Sequence, residues 1–557
     1  MRKSVRFILP ILVSAIVTGV ANAQSFRVQC PTSTITHPAS NPNSPTRDNN
    51  SEPTYKGATT FTTAPAGYQV PNAGTVNGAI KCQQISGGDG FATMGDGTQT
   101  YMFSFGPLSG LADMAAGLPG TQFPSVFNTV ATSAPKPGDP ATTDGWSDGD
   151  NGSLYTTGDL SNFTYNGAIG LMPDITGNTT TPGTGHVDVR QIMDVGVMNG
   201  NIPAPLMAID EDDEFFLTLT NVGMVMRPDL FEQHTVHFHG YPNASAFYDG
   251  VPDASVAINI GGSFTYYYLA PDAGTYFWHC HITPPEHLQM GMVGQIYVRP
   301  RQNRVPVGSS LYAGLQLQQQ DPRTKCDSSE ILCSNPLPAG GAAGNPATRA
   351  ATGNYAYNDG DGSTHYDVEY PLQIHGFDPN FHFVGMTFNP EAFVDMKDKY
   401  FLLNGRSYPD TVTPGPLATQ STDGSMHFSQ PLPAIINIPV GGRALLRISD
   451  LDVTEFQTLA SLGIPMEVIA LNAKLLRDQA GNNLYYNTNS VTLGGGESLD
   501  VILDATDKST YKAGQVFYLY TPNLDHLSND AENFGGLMTE VHICNSVTGT
   551  TFGNTCN

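Results

Sequence analysis

The sequence is poor in positive charge and in charged side chains of any kind. Lys and Arg number 25 against 50 Asp and Glu, so the formal net charge is −25, and charged residues make up only 13% of the chain. Because nucleic-acid binding needs a positive face to neutralise phosphate, this balance excludes nucleic acid as a partner. The acidic field can attract cationic substrates such as metal ions, but acidic solubilisation of an exported protein explains it equally well.

Long apolar runs are missing beyond the N-terminus. Three basic residues within the first six precede the apolar run Phe7–Val20, and the small residues Ala21 and Ala23 follow it. This pattern predicts a secretory signal peptide at 1–23. No later run reaches the about 18 apolar residues that suggest a membrane helix. We therefore expect a soluble, secreted protein in the periplasm or outside the cell.

Cysteine is scarce, and its number, seven, is odd. If one cysteine binds a metal, six remain for three disulfides. Proximity along the chain favours Cys326 with Cys333 and Cys544 with Cys556, which leaves Cys30 for Cys82, although sequence alone cannot choose among the possible pairings. Disulfides would agree with an exported protein.

Glycine and proline, in contrast, are abundant, with 59 and 41 residues. A turn-rich chain with few charged residues predicts an all-β fold. At 557 residues the chain is long enough for roughly two to four domains of about 150 residues.

Changes in composition divide the chain into segments. We predict an irregular N-terminal arm at 24–79, a strand-rich domain at 80–300 with a long insertion at about 106–185, a connector at 301–365, a second strand-rich domain at 366–545 and a tail at 546–557. The two domains look like copies, since Ala273–Trp278 corresponds to Ala513–Tyr518. Where the first copy has His279, Cys280 and His281, the second has no histidine or cysteine, so the second domain is predicted to lack metal ligands.

Two histidine pairs are spaced to share one face of a strand. His237 and His239 form one pair, and His279 and His281 form the other. Side chains on a strand alternate between its two faces, so two such strands side by side would bring four imidazoles together. An isolated pair of this kind is more often surface decoration than a metal site.

Cys280 lies between the second pair and points to the opposite face. His234, His287 and Met292 are placed to join it, with Met290 as the alternative methionine. A soft thiolate, two imidazoles and a weak axial thioether are the ligands of a blue-copper site. A lone buried cysteine usually serves only packing, but its combination with the two histidine pairs favours metal binding.

The order HxxHxHG, then HCH and HLxxGM, resembles the last cupredoxin domain of the multicopper oxidases, a family that includes laccases, bilirubin oxidase and bacterial manganese and copper oxidases. Asp249–Pro252 and Gly262–Tyr266 look like two further family elements. The resemblance implies two cupredoxin-like Greek-key β-sandwich or barrel domains with long irregular insertions.

The resemblance also implies roles for the individual residues. The type 1 copper would be bound by His234, Cys280, His287 and Met292, the type 2 copper by His237, and the type 3 pair by His239, His279 and His281. Electrons from a reductant would enter at the type 1 copper and pass through Cys280 and its flanking histidines, His279 and His281, to a cluster that reduces dioxygen to water.

The sequence departs from the family pattern in two ways. Cys280 and His287 stand seven positions apart, wider than is usual in the family, and this spacing looks like the manganese-oxidase-like bacterial branch. The family also uses eight histidines for its cluster, whereas this domain supplies four. The other histidines form no HxH pair, and His375 and His382 are predicted to be turn residues. We therefore predict that a second copy of the chain, or a homologous partner subunit, completes the cluster.

The leading functional hypothesis is a copper-dependent oxidoreductase that uses dioxygen and oxidises Mn(II), Fe(II), Cu(I) or a phenol. One alternative is a nitrite-reductase-like copper enzyme. Another is a secreted cupredoxin that carries electrons or binds copper without oxidase activity, which the four missing histidines favour.

Overall fold

The computed structural model describes residues 28–39, 49–110, 113–114, 117–128, 202–224, 227, 230, 232–240, 245–270, 272–321, 335–340, 347–385, 392–420, 426–549 and 554–557. The predicted signal peptide, most of the predicted insertion and the Cys326–Cys333 pair lie outside these ranges. In the described part of the chain, no helix is long and apolar enough to cross a membrane.

The described residues of the N-terminal half form ten strands: β1 (Phe61–Thr63), β2 (Gln69–Pro71), β3 (Ile80–Thr93), β4 (Gln99–Pro107), β5 (Met207–Asp210), β6 (Glu214–Gly223), β7 (His237–Phe238), β8 (Ser263–Leu269), β9 (Gly274–His279) and β10 (Val293–Arg299). Aromatic and β-branched side chains dominate β8 and β9, as expected for half-buried strands. Two four-stranded sheets form, with the orders β4-β3-β6-β8 and β5-β10-β9-β7. One hydrophobic core contains residues from both sheets.

Eighteen strands lie in the part of the C-terminal half that the structure describes: β11 (Asn354–Tyr355), β12 (His365–Tyr366), β13 (Val368–Phe377), β14 (Tyr400–Leu403), β15 (Leu417–Gln420), β16 (Met426–Ser429), β17 (Ile436–Pro439), β18 (Arg443–Asp450), β19 (Gln457–Leu462), β20 (Met466–Leu471), β21 (Lys474–Leu475), β22 (Tyr486–Thr488), β23 (Ser490–Leu493), β24 (Ser498–Asp504), β25 (Val516–Tyr520), β26 (Met538–Cys544), β27 (Val547–Thr548) and β28 (Thr555–Cys556). The larger sheet has the order β14-β13-β18-β24-β20-β21, with β22 paired to β20. The facing sheet has the order β17-β26-β25-β19-β23. These paired sheets confirm the predicted all-β, cupredoxin-like fold.

Helices are short and lie between strands. The α-helices among the described residues are α1 (Pro124–Phe127), α2 (Pro284–Gln289), α3 (Leu311–Gln318) and α4 (Pro379–Gly385). Single 3₁₀ turns span Ala73–Thr75, Ala246–Tyr248, Arg301–Arg304, Phe393–Asp395, Asp410–Val412 and Leu524–His526.

The two halves pack against each other through β9 and β10. Thr275 on β9 donates a hydrogen bond to Asp500 on β24 (2.6 Å). Gln295 on β10 donates to the carbonyl oxygen of Arg447 (3.0 Å) and to the hydroxyl of Ser449 (2.6 Å), both on β18. All five residues are buried, so these polar groups are paired at the interface between the halves. The strand that carries His279 therefore borders the C-terminal half.

Two of the predicted disulfides are present. Cys544 is bonded to Cys556, as proximity suggested, and Cys30 to Cys82, the pair that was left over. Cys280 is a buried free thiol. The first disulfide joins the N-terminal arm to β3, and the second joins β26 to β28.

We expect the two disulfides to differ in their contribution to stability. Their cysteines are 52 and 12 positions apart. Because a disulfide removes more entropy from the unfolded chain when it closes a longer loop, loss of Cys30–Cys82 should lower the free energy of unfolding by about 4 kcal/mol and loss of Cys544–Cys556 by about 3 kcal/mol. Urea denaturation of the two paired Cys→Ala variants measures this difference. A larger loss from the Cys544–Cys556 pair would contradict the expectation.

Candidate metal centre

The register between β7 and β9 places the two histidine pairs side by side. His237 is paired with His279, and Phe238 with Trp278. The pairing puts His237 and His279 on the same side of the sheet, and Cys280 follows directly after the end of β9. The structure thus has two groups of donor atoms, one around the Cys280 sulfur and one formed by imidazoles.

The sulfur group consists of three fully buried side chains. The donor atoms of His234, Cys280 and His287 all lie within 4.8 Å of one another. The Nδ1 of His287 is 3.4 Å from the sulfur, and the backbone N–H of Thr235 donates a hydrogen bond to the sulfur (3.5 Å). Two imidazoles and a thiol at this separation can converge on one soft metal ion.

His234 supplies the test of whether a metal ion fits. Its ring is completely buried, and neither ring nitrogen has a hydrogen-bond partner within the described residues. Burial, and secondarily His287, lower the pKa of His234 well below its usual value, so the ring is a neutral donor. An imidazole buried without a partner is costly unless a ligand satisfies it. The donor set around Cys280 therefore fits a bound copper ion.

The N-terminal sheet encloses this sulfur group. Phe103 and Phe105 on β4 make edge contacts with His287 and His234, at ring-centroid distances of 5.3 and 6.4 Å. Gly87 on β3 allows the His234 ring to approach the backbone, because a Cβ at this position would lie 2.4 Å from the ring. The sequence patterns did not indicate Gly87 or the two phenylalanines, since their contribution is shape and not donor atoms.

The pKa of His287 is shifted in the opposite direction to those of His234, His239 and His279. Burial opposes protonation, but Cys280 and Glu232 raise the pKa of His287 to about 9. The Glu232 carboxylate lies 3.6 Å from Nε2, on the side away from the sulfur, and is 35% exposed. His287 thus connects the buried sulfur group with a partly exposed carboxylate.

Two methionines are candidates for the axial position, and both are buried. Met292 is bonded through its backbone to both neighbouring donors: its N–H donates to His287 O (2.9 Å), and its carbonyl accepts from Cys280 N–H (3.0 Å). Met290 instead bonds back to Glu286 in the last turn of α2. These contacts favour Met292, the methionine that the sequence pattern favoured.

Replacement of each methionine by leucine should separate the two assignments. Because the axial thioether tunes a blue-copper site, Met292→Leu should change the visible spectrum and the reduction potential, while Met290→Leu should leave both near wild type. Visible absorption and potentiometric titration of the copper-loaded protein measure this. A change confined to Met290→Leu would transfer the axial assignment to Met290.

The second group contains all four imidazoles of the two pairs. The Nε2 atoms of His239 and His279 are 3.0 Å apart. The ring of His237 lies 5.5 Å from that of His279 and 5.2 Å from that of His281, between ring centroids. His237, His239 and His279 also have donor atoms within 4.8 Å of one another. The predicted type 2 and type 3 ligands of this chain are therefore neighbours.

Burial holds two of these rings neutral. It is the main cause that lowers the pKa of His239 to about 4 and that of His279 to about 3. The Nδ1 of His279 is hydrogen-bonded to the carbonyl oxygen of Cys280 (2.6 Å), and Nδ1 of His237 to that of Asp249 (2.6 Å). Such second bonds orient the rings and leave their Nε2 atoms as donors for a metal.

The C-terminal half contributes a wall to this group but no histidine among its described residues. A cavity of about 380 Å³ lies between His239 and His279 on one side and residues 452–456 and 494–496 on the other. A Cβ on Gly496 would lie 3.0 Å from the His239 ring, so the two halves approach closely here. Sequence reasoning missed this wall because none of its residues carries a ligand motif.

The prediction that His375 and His382 are turn residues is wrong. His375 lies on strand β13, His382 lies on helix α4, and both rings are buried. Each donates a hydrogen bond from Nε2 to Gln289, to its carbonyl oxygen (3.1 Å) and to its amide oxygen (3.0 Å) respectively. The Asp-Pro pair that suggested a turn begins the helix instead, because proline is favoured at a first helical position.

Residues 180–303 match the family described as multicopper oxidase. Laccase abr2 of Aspergillus fumigatus is 34% identical over 109 residues, 19% of this chain and 17% of the laccase. Multicopper oxidase MmcO of Mycobacterium tuberculosis is 33% identical over 105 residues, 19% of either chain. A copper-containing nitrite reductase of Rhizobium meliloti is 35% identical over 109 residues, 19% of this chain and 26% of the reductase.

The matches thus span only 17% to 26% of the length of these curated relatives. The matched family segment contains both histidine clusters and the free cysteine. Over residues 180–303, the chain is thus similar to the multicopper oxidase family.

Proposed function

We propose that the chain is a copper-dependent oxidoreductase that takes electrons from a reductant and delivers them to dioxygen. The observation that carries this proposal is the direct covalent link between the two donor groups. Cys280 belongs to the sulfur group, and its neighbours His279 and His281 belong to the imidazole group. The hydrogen bond from the His279 ring to the Cys280 carbonyl oxygen adds a second, non-covalent connection between the two groups.

In this proposal His234, Cys280, His287 and Met292 hold a type 1 copper. His237 holds a type 2 copper, and His239, His279 and His281 hold a type 3 pair. Bound copper supplies the one-electron redox couple that the side chains themselves lack. The chain contributes oriented donors and excludes water from the sulfur group, whose three side chains are all buried.

The reductant is proposed to be a metal cation: Mn(II), Fe(II) or Cu(I), with a phenol as the less favoured class. Support comes from Glu232, whose partly exposed carboxylate faces the His287 ring. Glu286 lies nearby. Burial is the main cause that raises the pKa of Glu286; His287 lowers this pKa and Glu232 raises it. A local negative charge attracts cations to this ring. Four one-electron oxidations supply the four electrons that, together with four protons, reduce one dioxygen to two waters.

The remaining four cluster histidines are proposed to come from a second copy or a homologous partner subunit. Support comes from the four imidazoles of this chain, which are half of the set that the family uses, and from the absence of a C-terminal histidine near them in the described residues. Light scattering combined with copper counting tests this. A monomer with four coppers per chain would contradict it.

A nitrite-reductase-like enzyme is the second candidate. The similarity to a copper-containing nitrite reductase favours it, as does a set of four imidazoles, which suffices for a single type 2 copper. A secreted electron carrier or copper-binding protein would have neither activity. The two disulfides are compatible with the exported location that all three functions assume.

One experiment separates these functions. Copper-loaded protein is supplied with Mn(II), Fe(II), Cu(I) and a phenolic dye in turn, and dioxygen consumption is followed together with copper content. We expect consumption with at least one cation and less with the dye. Nitric oxide production from nitrite, without dioxygen consumption, would favour the reductase. A visible thiolate–copper band without turnover of either acceptor would favour the carrier.

A further inference from the structure

Gln289 connects the copper-binding loop of the N-terminal half to a buried polar cluster of the C-terminal half. It is the last residue of helix α2 and lies between His287 and Met292, two of the candidate type 1 ligands. Its side chain is completely buried. Every hydrogen bond described for its side chain, and one to its carbonyl oxygen, is made with the C-terminal half.

The bonds around Gln289 use both ends of its amide. Its Nε2 donates to Asp398 Oδ1 (2.5 Å). Its Oε1 accepts from the backbone N–H of Asp378 (3.1 Å) and from Nε2 of His382 (3.0 Å), and its carbonyl oxygen accepts from Nε2 of His375 (3.1 Å). Three bonds to the side chain and one to the backbone carbonyl fix the position of Gln289 in a way that apolar packing alone does not.

The C-terminal half is built to receive this side chain. Asp398 and Asp452 approach the backbone of β13 at Gly376, where a Cβ would lie 2.1 Å and 2.5 Å from their Oδ2 atoms. Thr454 donates a second hydrogen bond to Asp398. Only glycine leaves room for the two carboxylates here, so the Asp398 acceptor is held in place by its surroundings.

The other end of the connection leads to the sulfur group. The segment after Gln289 turns back through Gly291, with φ at +98°, and Met292 then bonds to both His287 and Cys280 through its backbone. A displacement of Gln289 therefore moves His287 and Met292 relative to Cys280. The longer spacing between Cys280 and His287 accommodates the helix that carries Gln289.

We propose that Gln289 is a positioning residue through which the C-terminal half sets the geometry of the type 1 copper site. The inference rests on the proposed function, since it requires copper at Cys280. In this proposal the C-terminal half, for which no metal ligands were predicted, holds the ligand loop of the N-terminal half. Residues that orient metal ligands in this way alter affinity and redox properties without touching the metal.

Two substitutions at Gln289 and one rescue test the proposal. Gln289→Leu removes all side-chain bonds at unchanged charge. Gln289→Glu keeps the acceptor toward His382 and Asp378 but places a carboxylate against Asp398. Adding Asp398→Asn to Gln289→Glu exchanges donor and acceptor across the same hydrogen bond and restores the net charge.

Gln295→Leu is the matched control. Gln295 is equally buried and also donates to the C-terminal half, but it lies on β10, beyond the ligand loop. The substitution Gln295→Leu therefore weakens the same interface without acting on the segment from His287 to Met292.

The readouts are the visible thiolate–copper band, the reduction potential and the copper dissociation constant. For both single Gln289 variants we expect a shifted band and potential and about a 10-fold weaker copper affinity. The double variant should return toward the wild-type values. The Gln295→Leu control should have the wild-type band, potential and copper affinity. If Gln289→Leu does not fold, Gln289→Glu and its rescue decide the question.

Wild-type spectra and affinity in folded Gln289 variants would overturn the proposal, as would equal changes in Gln295→Leu. A wild-type protein that shows no thiolate–copper band would instead reject the proposed function itself, and the positioning role with it. The two failures are thus distinguished by the wild-type spectrum alone.

Discussion

Replacement of Cys280 by serine is expected to abolish both the visible band and dioxygen consumption. Cys280 is the free cysteine of the described residues, is fully buried and supplies the thiol beside His234 and His287. A hydroxyl is a poor ligand for copper in such a site and has no thiolate-to-copper transition. Absorption spectroscopy, copper analysis and oxygen-electrode measurements on the reconstituted protein check this result.

The matched control replaces two cysteines that lie outside the proposed copper site. Cys544→Ala with Cys556→Ala deletes a disulfide and should retain the band and the activity per bound copper, since these residues lie in the C-terminal half. A Cys280→Ser protein that keeps the band would disprove the assignment of Cys280.

Replacement of His239 by alanine is expected to abolish dioxygen consumption but to keep the visible band. His239 belongs to the imidazole group, with its Nε2 atom 3.0 Å from that of His279, and lies across the cavity from the C-terminal half. Its loss should leave the thiolate–copper band intact while dioxygen consumption falls to the level of copper-free protein, because the site for dioxygen is lost and the electron inlet is not.

The visible spectrum and oxygen consumption, measured on the same preparation, test this separation. His542→Ala serves as the control, since His542 pairs with Glu540 on strand β26, away from both donor groups. If His239→Ala retained full dioxygen consumption, the imidazole group could not be the oxygen site. The nitrite-reductase-like alternative would then be examined with the same variant and nitrite as acceptor.

Much of the fold and the donor chemistry could be anticipated from local patterns. Alternation along a strand depends only on backbone geometry, so the shared face of His237 and His239 was predictable from their spacing. The all-β class followed from the abundance of glycine and proline and from short strand-like runs. Sequence proximity likewise anticipated Cys544–Cys556, which the structure contains.

Other features depend on contacts between residues far apart in the chain. His375 and His382 looked like turn residues because an Asp-Pro pair separates them, yet both are buried against Gln289. Gly87 and Gly376 make room for a ring and for two carboxylates, which no local pattern records. Tertiary packing overrides local preference at such positions because burial of a polar group requires a specific partner.

The sequence by itself determined which donor atoms this protein can offer to a metal: one thiolate, two histidine pairs, two further imidazoles and a methionine, at spacings set by strand and loop geometry. Only the tertiary structure decided which of them meet, which ring is left without a partner, and how the C-terminal half holds the ligand loop through Gln289. The physical reason is range: spacing along a strand is a local property of the backbone, whereas convergence of donor atoms and their supporting hydrogen bonds arises from packing between segments far apart in sequence. Gln289 and Asp398, for example, are 109 positions apart.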